Sequence, residues 1–271
     1  MTPGTRGRPP RASTPVLMLH HVEPAPLDPP ALHPDSYLTP DELGADLDRL
    51  AGWGFSTVTL ATAAASWHSG RKLPAKSLVL TFDDACSCFL EHALPVLAAH
   101  DATATVFAVA GLVGADNAWD RAAGERHERL MDGAALAEVA ATGCEVGSHG
   151  RTHRDLSRLE GAGLDAEVAG SKRLLEGLLG RPVTTLAWPY GRTSVAARRR
   201  ARDAGYQAAV AIHDHAGAVA GDPWALPRQP LRPGEGSFEL WLKARRLYAP
   251  WSRLPRLGIL GSLRRWEARR R

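Results

Sequence analysis

No stretch of this 271-residue chain approaches the roughly 18 consecutive apolar residues that a membrane-spanning helix requires. Cysteine is almost missing. Cys86, Cys88 and Cys144 are odd in number and too few for a disulfide framework, and a lone C-x-C spacing is a weak metal signal, so all three read as small buried hydrophobes. The opening "MTPGTRGRPPRASTPVLMLHH" has basic residues but no continuous apolar segment. No secretory signal is read there, which makes residues 1–14 an expected disordered leader and the cytoplasm the expected location. No repeat with a period of 20–50 residues is visible, which argues against a solenoid. A G-x-S-x-G elbow is also absent, which argues against a Ser-His-Asp hydrolase.

What is present suits one substantial core: 44% hydrophobic and 23% charged residues, on a length that α/β barrels reach as a single unit. The net charge of +4 hides an asymmetry, because residues 243–271 hold ten Lys/Arg and one acid. That segment carries +9 and the rest −5, so the body is not expected to bind nucleic acid. Residues 241–271 interleave Trp, Leu and Arg and form a separate basic tail. It reads either as a last helix with a solvated basic end or as an interfacial segment making peripheral contact with anionic lipid. Pro250 and Pro255 interrupt any long amphipathic helix there.

Between leader and tail, residues 15–240 alternate strand-like and helix-like segments. "PVLMLHHV" reads as a buried strand ending in His20 and His21. "TPDELGADLDRLAGWGF" carries a capping box, Thr39 with Glu42, and Pro40 at the first helical position. "FSTVTL", "SLVLTF", "TATVFAV", "CEVGS", "VTTLAW" and "YQAAVAI" read as further strands. Helices are expected around 87–99 (kinked by Pro95), 132–142, 160–179 and 194–204. Such alternation implies parallel strands joined by right-handed crossovers, and six or seven units favour closure into a barrel.

In a parallel α/β barrel the chemistry gathers where strands end. The strand ends here supply His20-His21, Asp83-Asp84, "HGRTH" with His149 and His153, and "PYGR". Two imidazoles and a carboxylate suit Zn²⁺ and leave positions open for water and substrate. Two adjacent carboxylates repel unless a cation neutralises one of them. One aspartate on a metal and the other free as a base would account for the pair; a strand-end Asp pair capping the following turn is the plain alternative.

Together, "TFDD", "SHGRTH" and "WPYG" resemble the polysaccharide deacetylase family, the NodB-homology carbohydrate esterases, in the family's order and across roughly residues 15–231. The resemblance implies a distorted (β/α) barrel of about seven parallel strands. It also implies removal of N-acetyl groups from an amino sugar of a polysaccharide, oligosaccharide or glycan precursor. Asp83 would then be the general base, with Asp84, His149 and His153 holding one divalent metal, Zn²⁺ first and Co²⁺ or Ni²⁺ as alternatives. Pro189 and Tyr190 would line the site, the Tyr190 N–H facing the developing oxyanion, and Arg228 would join this substrate side or orient Asp83. "VLMLHHV" is similar to the opening of an exopolysaccharide subgroup whose general-acid histidine comes from the first strand. His20 is the matching position and His21 its rival, while His213 and His215 are weaker candidates. The chain departs from the family at Ala85 (usually Gly), Gly150 (usually Ser or Thr), Leu19 (usually Tyr) and Ala187 (often Arg). O-acetyl ester or non-sugar amide hydrolysis, and non-catalytic sugar binding, are the rival functions.

Overall fold

The computed structural model describes residues 14–121, 124–212 and 217–248. Nearly all of the expected leader, residues 249–271 of the basic tail, and both His213 and His215 lie outside the described residues.

Among the described residues, seven strands close into one barrel, as expected. In chain order they are β1 (Val16–Leu19), β2 (Ser77–Phe82), β3 (Thr105–Ala108), β4 (Glu145–Ser148), β5 (Thr185–Ala187), β6 (Ala208–Ile212) and β7 (Leu226–Pro230). Each strand pairs in parallel with the next. Closure comes from β1, which pairs Val16–Leu19 with Val79–Phe82 of β2 on one side. On its other side it pairs Leu17 and Met18 with Gln229 and Pro230 of β7. Besides a single turn at Ala118–Arg121, the helices are α1 (Pro40–Gly52), α2 (Leu60–Ser69), α3 (Leu94–Ala99), α4 (Gly133–Ala141), α5 (Gly161–Leu179), α6 (Val195–Asp203) and α7 (Ser237–Ala244).

Successive strand residues face opposite sides, and that parity builds both the core and the site. Val16, Val79, Phe107, Ala187, Val210 and Leu226 form one cluster with Leu60 and Ala63 of α2. The alternate residues Leu17, Leu19, Leu78, Leu80 and Phe82 join the larger cluster with the helices. Because Val79 belongs to the first set, Thr81 and Asp83 share its side. At the opposite end of the barrel, the Glu145 carboxylate accepts from the Ala61 N–H at 2.8 Å and the Thr105 hydroxyl at 2.8 Å. A carboxylate oxygen there accepts one of the free N–H groups of the α2 N-terminus and ties α2 to the start of β4.

Several expectations need correction. The first strand stops at Leu19, and His21–Val22 instead pairs with Tyr37–Leu38 in a separate two-residue ladder. "FSTVTL" is a strand only at Ser56–Thr57, because Thr59 caps α2 by accepting from the Thr62 N–H. β7 was not read from the sequence, since "LPRQP" holds two prolines and proline cannot donate to a ladder. The segment expected to be one kinked helix is a π-type turn, Phe89–Ala93, leading into α3, where Pro95 lies in the first turn.

Candidate active site

The upper ends of β1, β2, β4, β5 and β7 bring together residues far apart in sequence. Asp84 is buried, and its Oδ1 lies 3.5 Å from His149 Nε2 and 3.4 Å from His153 Nε2. One donor atom from each of the three falls within 4.8 Å of the others. The His149 Nδ1–H donates to the Ala187 carbonyl at 2.9 Å, and since a carbonyl only accepts, the Nε2 lone pair is left facing Asp84. Asp84 Oδ1 and His153 Nδ1 are buried without a hydrogen-bond partner. An orphaned carboxylate oxygen between two imidazoles is costly by itself and fits a divalent cation with nitrogen and oxygen ligands.

Asp83 is held differently. Arg228 donates to it twice, Nη1 to Oδ1 at 2.6 Å and Nη2 to Oδ2 at 2.7 Å. Burial would raise the Asp83 carboxyl, but the Arg228 guanidinium and then His149 outweigh it and hold it well below the usual carboxylate range. Burial and the neighbouring Asp83 charge push Asp84 the other way, well above that range. The two carboxylates therefore differ in kind: one is clamped ionised by a fork of donors, and the other lacks a compensating charge.

Of the two places the sequence reading left open for Arg228, the structure puts it beside Asp83: it is 0% exposed, is not among the residues lining the cleft, and spends both terminal nitrogens on that carboxylate. It comes from the inward side of β7, between Thr81 and the Phe107 ring. Pro189 is likewise buried and absent from the lining, and it is Tyr190 and Gly191 that line the pocket. The two histidines of the first segment are distinguished by their neighbours. His20 Nε2 lies 4.0 Å from Asp83 Oδ2, with its side chain 28% exposed. His21 is turned toward Cys88 (Nδ1 to Sγ 3.8 Å) and stacks on the Tyr37 ring at 4.2 Å. Burial, followed by His20 and Arg126, lowers the His21 pKa to about 3, so it stays neutral.

Sequence reading missed part of the wall. Trp119 stacks on His153, with ring centroids 4.4 Å apart, and Tyr37 and Asp120 line the cleft. None lies at a barrel-strand end; a tryptophan in an otherwise polar segment, here the helical turn Ala118–Arg121, was the one available signal. The cleft volume is about 160 Å³, room for several waters or one small acyl group beside Asp83 and Asp84. Backbone strain concentrates here: Asp84 (φ 69°), Ala85 (φ 56°), His153 (φ 58°) and Tyr190 (φ 58°) all adopt left-handed conformations.

The sequence profile of the Polysaccharide deacetylase family matches residues 70–209, just over half of the chain. YxkH of Bacillus subtilis (strain 168), a polysaccharide deacetylase by name, is 25% identical over 224 residues, covering 82% of this chain and 73% of its own. Among solved structures, the Streptococcus pyogenes deacetylase PplD in complex with acetate superposes with a TM-score of 0.72 at 20% identity. That match covers 86% of this chain and 99% of PplD. IcaB from Ammonifex degensii gives 0.66 at 23% identity, covering 87% and 97%. These structural likenesses establish the fold.

Proposed function

This chain belongs to the polysaccharide deacetylase family, and on that footing we propose that it hydrolyses the N-acetyl group of an amino sugar in a polysaccharide, oligosaccharide or glycan precursor. The observation that carries the reading is the division of labour between the adjacent carboxylates, with Asp83 clamped ionised by Arg228 and Asp84 orphaned between His149 and His153. Asp84, His149 and His153 would hold one divalent ion, Zn²⁺ by its preference for such donors. When bound, that ion polarises a carbonyl and acidifies water.

The remaining work falls to the chain's own groups. Asp83 is the general base: it is ionised throughout the working pH range, and the two Arg228 bonds fix its orientation. Its lowered basicity limits the driving force for taking a proton, so its contribution rests on placement. The Tyr190 backbone N–H, in a left-handed turn at the rim, serves the oxyanion. An amine leaves poorly unless protonated, and His20, at the cleft wall 4.0 Å from Asp83, is the proton donor. Acetate and a free amino sugar are the products.

The test is acetate release from N-acetylglucosamine oligomers by metal-stripped protein, with and without Zn²⁺ or Co²⁺, with O-acetylated sugars in parallel. We expect metal-dependent release from the N-acetyl substrates, reduced about 10²–10⁴-fold in Asp83→Asn. That substitution also leaves the buried Arg228 without its counter-charge, so the variant must first be shown to be folded. Release from O-acetyl substrates alone, or release indifferent to chelation and to Asp83→Asn, would overturn the proposal.

A further inference from the structure

The segment between the two metal-site histidines is gripped from α5 by a carboxylate that plays no part in the reaction described above. Glu167 is 4% exposed. Its Oε2 accepts from the Arg151 N–H at 2.8 Å and the Thr152 N–H at 3.0 Å, and its Oε1 accepts from the Thr152 hydroxyl. One helical turn further, the buried Ser171 hydroxyl bonds to Ser148 Oγ at 2.9 Å, and Ser148 Oγ accepts the Gly150 N–H at 3.2 Å. Residues four apart on a helix share a face, so one face of α5 holds the loop at two points, Ser148 at its start and Arg151–Thr152 before His153. From the other side, the Ala110 and Gly111 N–H groups donate to the Gly150 and Arg151 carbonyls at 3.0 and 2.8 Å.

The loop's backbone polar groups are thus tied to elements outside it, while His153 sits in a left-handed conformation (φ 58°) that it would not adopt unaided. A charged acceptor shared by two N–H groups is worth more than neutral bonds and holds a single geometry. Gly150 belongs to the same arrangement. Its φ is +77°, and a Cβ there would lie 3.3 Å from Glu167 Oε2, crowding the carboxylate.

We propose that Glu167 is a positioning residue of the metal site, holding residues 151–152 so that His149 and His153 converge on Asp84. The inference rests on the reading of Asp84, His149 and His153 as metal ligands. It goes beyond that reading by assigning the site's affinity partly to a helix carboxylate that touches neither metal nor substrate.

The test is metal affinity, measured on metal-stripped protein by titration with Co²⁺ and with Zn²⁺ against a chromophoric chelator, with the Co²⁺ visible spectrum recorded. Glu167→Leu is expected to lose about 10–100-fold in affinity and to shift the Co²⁺ bands, with circular dichroism confirming that the apo variant is folded. Glu167→Gln should retain most of the affinity, because its amide oxygen still accepts both N–H groups and its NH₂ can donate to Thr152. Thr152→Val removes one of the three bonds and should lose severalfold. A folded Glu167→Leu that binds Co²⁺ and Zn²⁺ within twofold of the parent overturns the proposal. If Glu167→Leu does not fold, Thr152→Val decides: parental affinity overturns the proposal, and a severalfold loss with an altered Co²⁺ spectrum supports it. A parent protein that binds neither ion would defeat the metal-site reading itself, a result distinct from variants that bind as well as a parent that does.

Discussion

Asp46 is a carboxylate on the face of α1 that otherwise buries Leu43, Leu47 and Leu50. Its Oδ1 accepts from Arg49 at 2.7 Å, yet burial dominates and pushes its pKa up to about 6. An acid with a raised folded-state pKa burdens the fold once it ionises. Its cost is absent below the unfolded value near 4, grows as pH rises toward 6, and is fully present above that. Asp46→Asn should therefore gain stability relative to the parent between pH 4 and pH 7, by on the order of 2 kcal/mol. Urea unfolding at the two pH values measures this, and a pH-independent difference would refute it. At the same scale, the φ of 56° at Ala85 gives a physical reason for the family's usual glycine there, since a left-handed backbone suits a residue without Cβ.

Among the elements, the Pro189–Gly191 turn at the end of β5 shows how tightly the rim is packed. Gly191 has φ +65°, and a Cβ there would lie 2.3 Å from Ile212 Cγ1 on β6. Gly191→Ala combines left-handed strain with overpacking against a strand, a cost of about 2–5 kcal/mol. The expected result is a lower denaturant midpoint with an unchanged slope; a midpoint equal to the parent's would mean that the turn can move away from β6. The strands themselves set the site by parity. Thr81 and Asp83 follow Val79 on one side of β2, and Arg228 follows Leu226 on the same side of β7, which is why two residues 145 positions apart meet.

For the molecule as a whole, the proposed metal site joins the ends of β2 and β4, so ligand binding and folding are linked. An ion that binds only the folded state stabilises it by about 2.7 kcal/mol at a hundredfold excess over Kd. For a protein of this size that corresponds to a rise of about 5–10 °C in Tm. Thermal melts with Zn²⁺ and with chelator should differ by that amount, and Asp84→Asn should abolish the difference. Equal melts for the parent under both conditions would count against the site.

The architecture and the chemistry-bearing strand ends were legible in the sequence. Buried parallel strands announce themselves as apolar runs, and three of those here stop at a polar cluster: Asp83-Asp84, the segment His149–His153, and Pro189–Gly191. Those are local signals, carried by residue type and spacing, and so was the α1 capping box that the structure reproduces at Thr39 and Glu42. What only the tertiary structure decided was non-local. The sequence left Arg228 between two roles, and barrel closure through β1 and β7 buried it against Asp83 instead of the cleft. The sequence put His20 ahead of its rival His21 only by resemblance, and the pairing of His21–Val22 with Tyr37–Leu38 turns His21 toward Cys88. Glu167 carried no signal at all, because an acid on a helix reads as a solvated surface group until the loop it holds is folded against it. Residue type determines which chemistry is available; packing between segments far apart in the chain determines which residue performs it.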